Sequence, residues 1–162
     1  VSRNQEQPVS LLHRGGHRVG GGMTRTIALL LLACAAPLWA AEPVHDAQRA
    51  RLNYMLNCQG CHLPDGQGIA DTVPTLHDFV GRFLSVPGGR EYLVQVPGSA
   101  NAALDDAALA DLLNWLLVTL SPAQLPEHWQ PYSAEEVGRL RASPLSEVQQ
   151  TRAALVARMP LD

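Results

Sequence analysis

From Ala41 onward this chain has no lysine, and aromatic residues make up only 5% of the whole. Over that stretch 8 Arg stand against 14 Asp plus Glu, a balance of −6, because Arg3, Arg14, Arg18 and Arg25 all fall in the first quarter. The acidic balance leaves no basic footprint for nucleic acid. It suits partners that present positive charge, since complementary fields raise the rate of encounter. No catalytic triad, carboxylate pair or phosphate-binding loop can be picked out. With 162 residues, 46% of them hydrophobic, the chain can bury one modest core with appendages rather than two full domains. Few of its own rings are available to fill that core.

What is present begins with an export pattern. Arg25 follows Met23, Ile27 to Ala36 is apolar, Pro37 breaks the run, and Ala40 and Ala41 supply small residues for cleavage. The run is too short to cross a bilayer, so no stable membrane insertion is expected after cleavage. Residues 23–40 are therefore expected to be a signal peptide. Residues 1–22, with Gly15, Gly16 and Gly20 to Gly22 and no apolar period, are expected to be a mis-called start or a disordered leader. A rival reading makes Cys34 a lipidated cysteine. Cleavage would remove Cys34 and leave two thiols on an exported chain, Cys58 and Cys61, free to form a redox disulfide, bind metal or carry a cofactor.

Those two thiols lie in Cys58-Gln59-Gly60-Cys61-His62. Covalent haem needs two thiols spaced to meet two vinyl groups and an imidazole placed to reach the iron. A thioredoxin-like dithiol would be expected beside a strand, and nothing upstream reads as one. A zinc site would want a second Cys/His pair at finger-like spacing, and none follows. Asp46 to Asn57 has no Gly or Pro and sets Leu52, Met55 and Leu56 on one helical side, with Tyr54 beside them. After His62, Leu63-Pro64-Asp65-Gly66-Gln67-Gly68 requires a turning loop.

In these features the chain resembles the mono-haem cytochrome c family from about Asp46 to Leu120. Tyr54 stands where that family often has an aromatic before the motif, and Asp65 to Gly68 matches its Asp-Gly-x-Gly loop. The resemblance implies an all-α fold: a cytochrome c-like small helical domain over 41–120 around one covalently bound haem c. In it Cys58 and Cys61 hold the haem, His62 ligates the iron, and Pro74 offers its carbonyl to the second N–H of His62. It also makes Asp105 to Leu120 the closing helix, with Leu109, Leu112, Leu113, Leu116 and Leu120 at helical spacing and Trp115 crossing the first helix. Asp105 caps its start and Ser121-Pro122 stops it.

The chain departs from the family where a Met would supply the sixth iron ligand. No Met occurs between His62 and Asp105, and Val96-Pro97-Gly98 stands where Met-Pro is expected. His77 is the imidazole in the intervening loop and a candidate distal ligand, which would lower the potential relative to His/Met. Met159, delivered by a folded-back tail, is an alternative. Met55 reads as core. The sixth position can also stay open or hold water, which permits small-ligand binding or peroxide chemistry. Arg82 and Arg90 are candidate partners for haem propionates. Phe79, Val80, Phe83, Leu84 and Val86 read as a short apolar segment at the haem edge, turned by Pro87-Gly88-Gly89.

Residues 121–162 form a C-terminal extension expected to pack on the domain. A capping box opens a helix at Ser133 to Glu136, and Ser143-Pro144 opens another carrying Leu145, Val148, Leu155 and Met159. The function these features imply is one-electron transfer in the periplasm, by a carrier rather than a catalyst. A periplasmic dehydrogenase would donate, and an oxidase or second cytochrome would accept. The alternative is a haem enzyme or small-ligand sensor with an open distal site.

Overall fold

A computed structural model describes residues 46–160. Residues 1–22 and 23–40, expected to be a leader and a signal peptide, and Cys34 lie outside the described residues. Within them the chain is helical, and the one β-like pairing is an isolated bridge between Ile69 and Val73.

Helix α1 spans Ala47–Asn57. Its start is fixed by Asp46, whose carboxylate accepts from the backbone N–H of Gln48 at 3.1 Å and Arg49 at 3.0 Å. The side it buries is Ala50 and Tyr54, one turn apart, against helix α5 (Asp106–Leu120). Small Ala50 allows close approach, and the Tyr54 ring meets Trp115 at 5.5 Å between centroids, tilted by 48°. The expected stripe of Leu52, Met55 and Leu56 therefore faces solvent, with 52%, 48% and 74% of each exposed. Met55 is not core. Two rings and a small residue outweigh three flexible aliphatics when the partner helix brings a tryptophan.

Helix α2 (Gln59–His62) follows a break at Cys58. The loop after it closes on itself, the carbonyl of Gly66 accepting from Leu76 and His77. A 3₁₀ segment, Val80–Ser85, leads to α3 (Gly89–Gln95). Gly89 has to lack a side chain, because a Cβ there would run into the Phe83 carbonyl. Phe83 in turn stacks on Tyr92 at 4.8 Å. The short α4 (Pro97–Ala100) precedes α5, whose N-cap Asp105 accepts from Ala108 N–H at 2.7 Å.

Beyond α5 the extension runs back over the domain. After a 3₁₀ turn at Pro122–Gln124, Asn114 of α5 exchanges two hydrogen bonds with the backbone of Tyr132. Helix α6 (Ala134–Arg141) packs on α5 and α3. Ser133 caps it, but Glu136 does not return the bond: its carboxylate is taken by Arg90 of α3. Helix α7 spans Val148–Val156, four residues later than the Ser143-Pro144 signal implied. Leu145 N–H donates to the Gln95 carbonyl at the end of α3, and that tie holds the Ser143–Glu147 backbone out of the helix.

Candidate functional site

A cavity of about 310 Å³ opens at the break between α1 and α2, within the roughly 300–1,000 Å³ typical of cofactor pockets. Cys58, Cys61 and His62 form one wall with Pro74 and Thr75. Leucines of α5 form the back. The end of α3 and the start of α4 form a second wall, and Val148, Gln149 and Arg152 of α7 close the edge.

His62 Nδ1 lies 3.1 Å from the carbonyl oxygen of Pro74. A carbonyl only accepts, so Nδ1 carries the proton and Nε2 is left with its lone pair. Burial pushes the His62 pKa down although the Pro74 bond opposes the shift, and the lowering favours the neutral ring that can ligate a metal. Gly68 makes the arrangement possible. At φ 71° its missing Cβ would collide with the carbonyls of Val73 and Pro74, and its N–H donates to His62 O at 3.0 Å. Leu63 sits at φ 65°, a strained value for leucine, held there in part by the Tyr54 hydroxyl donating to its carbonyl at 2.6 Å.

Both thiols are free, Cys58 half-buried and Cys61 exposed. Burial, then proximity to Cys61, pushes the Cys58 pKa up to about 11, so that sulfur stays a neutral thiol at neutral pH. Among the described residues no three His, Cys, Asp or Glu side chains gather as a metal site. Two thiols and a tautomer-locked imidazole within five residues, on the rim of a mostly apolar cavity, suit a flat apolar ring with iron at its centre.

The structure separates the other sequence candidates from this cavity. Arg90, a candidate propionate partner, points away: its guanidinium takes both oxygens of Glu136 and the carbonyls of Gln130 and Pro131, and lies 4.0 Å over the Tyr132 ring. Arg82 donates to the Pro160 carbonyl at 3.0 Å and does not line the cavity. His77 does not reach it either. Its Nδ1 donates to the Asp65 carbonyl at 3.2 Å and its Nε2 lies 3.2 Å from the Asp78 carboxylate, which fixes the ring in the loop. Met159 is buried in the core beside α7 and is not among the cavity residues.

Arg152 is the cation that does line the cavity, its guanidinium 5.4 Å over the Phe79 ring. The sequence offered one signal for it. On α7 it falls one turn from Val148 and from Val156, so a cation interrupts the apolar side of an amphipathic helix.

No protein-family model matches the chain. It is 32% identical over 145 residues, 78% of this chain and 93% of the relative, to a cytochrome c-552 of Thermus thermophilus. A second cytochrome c-552 from that organism is 34% identical over 110 residues, covering 57% of this chain and 84% of its own length.

Proposed function

The chain belongs to the c-type cytochromes, and from that membership we propose that it carries single electrons on one haem c bonded to Cys58 and Cys61, with His62 on the iron. The observation that carries the site assignment is the bond from His62 Nδ1–H to Pro74, which dedicates Nε2 to a metal in a cavity shared with both thiols. Each thiol would add its S–H across a vinyl group of the ring, an attachment that needs no oxidant and releases nothing. When bound, the haem supplies a one-electron couple between Fe(III) and Fe(II).

The remaining roles belong to the chain. Pro74 orients the imidazole and raises its basicity through the shared proton. The leucines of α5 keep water from the ring, which tunes the couple through local polarity. Arg152 stands at the cavity edge as the counter-charge for a propionate. Cys61 is exposed, so a haem bonded to it would be reachable by a partner that exchanges electrons without entering the protein.

We place the carrier in the periplasm, between a dehydrogenase and an oxidase or second cytochrome. The export pattern over residues 23–40 supports this. Expression with its leader in a haem-maturing bacterium tests the reading. Peroxidase-active haem should stay with the denatured polypeptide on a gel and disappear in the Cys58→Ser, Cys61→Ser double variant. A wild-type band without haem would refute it.

A further inference from the structure

We propose that the iron's second axial position is left to a neutral diatomic ligand of the carbon monoxide or nitric oxide type, received against the Val96–Ser99 wall of the cavity. The proposal rests on haem attachment at Cys58 and Cys61. Iron in a protein is bound strongly by imidazole, thioether, thiolate or phenolate. Among the described residues lining the cavity, His62 is the one imidazole, no methionine is present, and both thiols are the attachment points. Tyr92 is the one phenol, and its ring is stacked flat on Phe83. The rest are aliphatic carbons, amides, hydroxyls and the guanidinium of Arg152, which is never deprotonated in proteins.

The segment that would have to deliver a ligand is also held in place. Leu145 N–H donates to the Gln95 carbonyl at its start. At its end Arg141 donates to the carbonyls of Ala100 at 3.0 Å, Ala102 at 2.7 Å and Leu104 at 2.8 Å, and pairs with Asp106. Val96–Ala102 is thus tied at both ends by the C-terminal extension, and bringing in Met159 would empty a buried position in the core. Gly98 lines the cavity at its exposed mouth, and a Cβ there would meet nothing within 4 Å, so a ligand has open access along it.

Distal polarity and steric access decide what such an iron binds. Val96, Pro97 and Leu93 offer no hydrogen-bond donor from their side chains and the Ser99 hydroxyl is the one side-chain donor of the Val96–Ser99 wall, so the wall suits a small neutral ligand better than an anionic one. Binding forms one bond from the ligand to Fe(II) and displaces at most a water. No electron changes hands.

The test uses the full matured protein, reduced without air, with carbon monoxide as the probe. A high-spin ferrous spectrum that shifts saturably with added carbon monoxide is expected. A low-spin spectrum unmoved by the probe would overturn the proposal, and recovery of binding in His77→Ala or Met159→Leu would assign the ligand to that side chain. Gly98→Leu fills the open space and should slow carbon monoxide association about tenfold or more at unchanged haem content. An unchanged rate would refute the placement at Val96–Ser99. Protein that retains no haem fails the attachment reading instead, and the denaturing gel separates that outcome from these.

Discussion

At the scale of single residues, the site depends on a backbone approach that one hydrogen atom permits. Gly68→Ala puts a methyl into the Val73 and Pro74 carbonyls at a positive φ. We expect a loss of about 2 kcal/mol or more in denaturant unfolding. The same change should raise the reduction potential, because an imidazole that loses its carbonyl acceptor becomes a weaker donor to Fe(III). Voltammetry on the variant checks the sign. Tyr54 gives a pH signature. Burial first, then the fields of Cys58 and Asp65, push its pKa from 10.0 up to about 12. The folded chain therefore keeps a proton that the unfolded chain has released. The stability this contributes is full below pH 10 and is lost as the pH rises toward 12. In Tyr54→Phe the slope of stability against pH over that window should be shallower, with part of it remaining because burial also raises Tyr92 and Tyr132.

At the scale of elements, α6 acts as a clasp between α3 and the α4–α5 connection. Arg141 reaches four groups with one planar head, which an ammonium cannot copy. Arg141→Lys and Arg141→Ala should both cost about 2–3 kcal/mol by leaving half-buried carbonyls unpaired. Hydrogen exchange should rise over residues 96–106 and stay unchanged in α1. On the other side of α6, Arg90 holds the Glu136 carboxyl below its ordinary range through paired hydrogen bonds. A depressed carboxylate stabilises the fold above its unfolded pKa and ceases to as the pH falls through the folded one. Glu136→Gln should therefore unfold at lower denaturant than the parent at neutral pH, and the gap should close on acidification.

At the scale of the whole molecule, the acidic balance would bear on how a charged partner arrives. A net −6 beyond Ala41 predicts association with a positively charged redox partner whose rate falls steeply between low and physiological salt, as screening shortens to about 10 Å near 0.1 M. Stopped-flow electron transfer against ionic strength measures it; a flat profile would show that apolar contact steers the encounter instead. The exposed Leu52, Met55 and Leu56 on α1 lie in the helix that enters the haem motif, so both kinds of contact are open to test.

The Cys58–His62 motif, the all-α class, both principal helices and the Asp105 cap were legible in the sequence. Each rests on local chemistry: a five-residue motif, a 3.6-residue period, or a carboxylate three residues from the N–H it caps. The His62–Pro74 bond was legible too, through resemblance to the family. Which side of α1 is buried was not legible, because Ala50 and Tyr54 win only once Trp115 is opposite them. Nor could the sequence place Arg152 at the cavity in preference to Arg82 and Arg90, or draw His77 and Met159 away from it. Those assignments depend on where α6 and α7 return, and on which carbonyls and carboxylates lie within reach when they do. Tertiary packing alone brings residues so distant in the chain together, and it does so at the cavity edge and the Val96–Ser99 wall, where spacing along the chain carries no information.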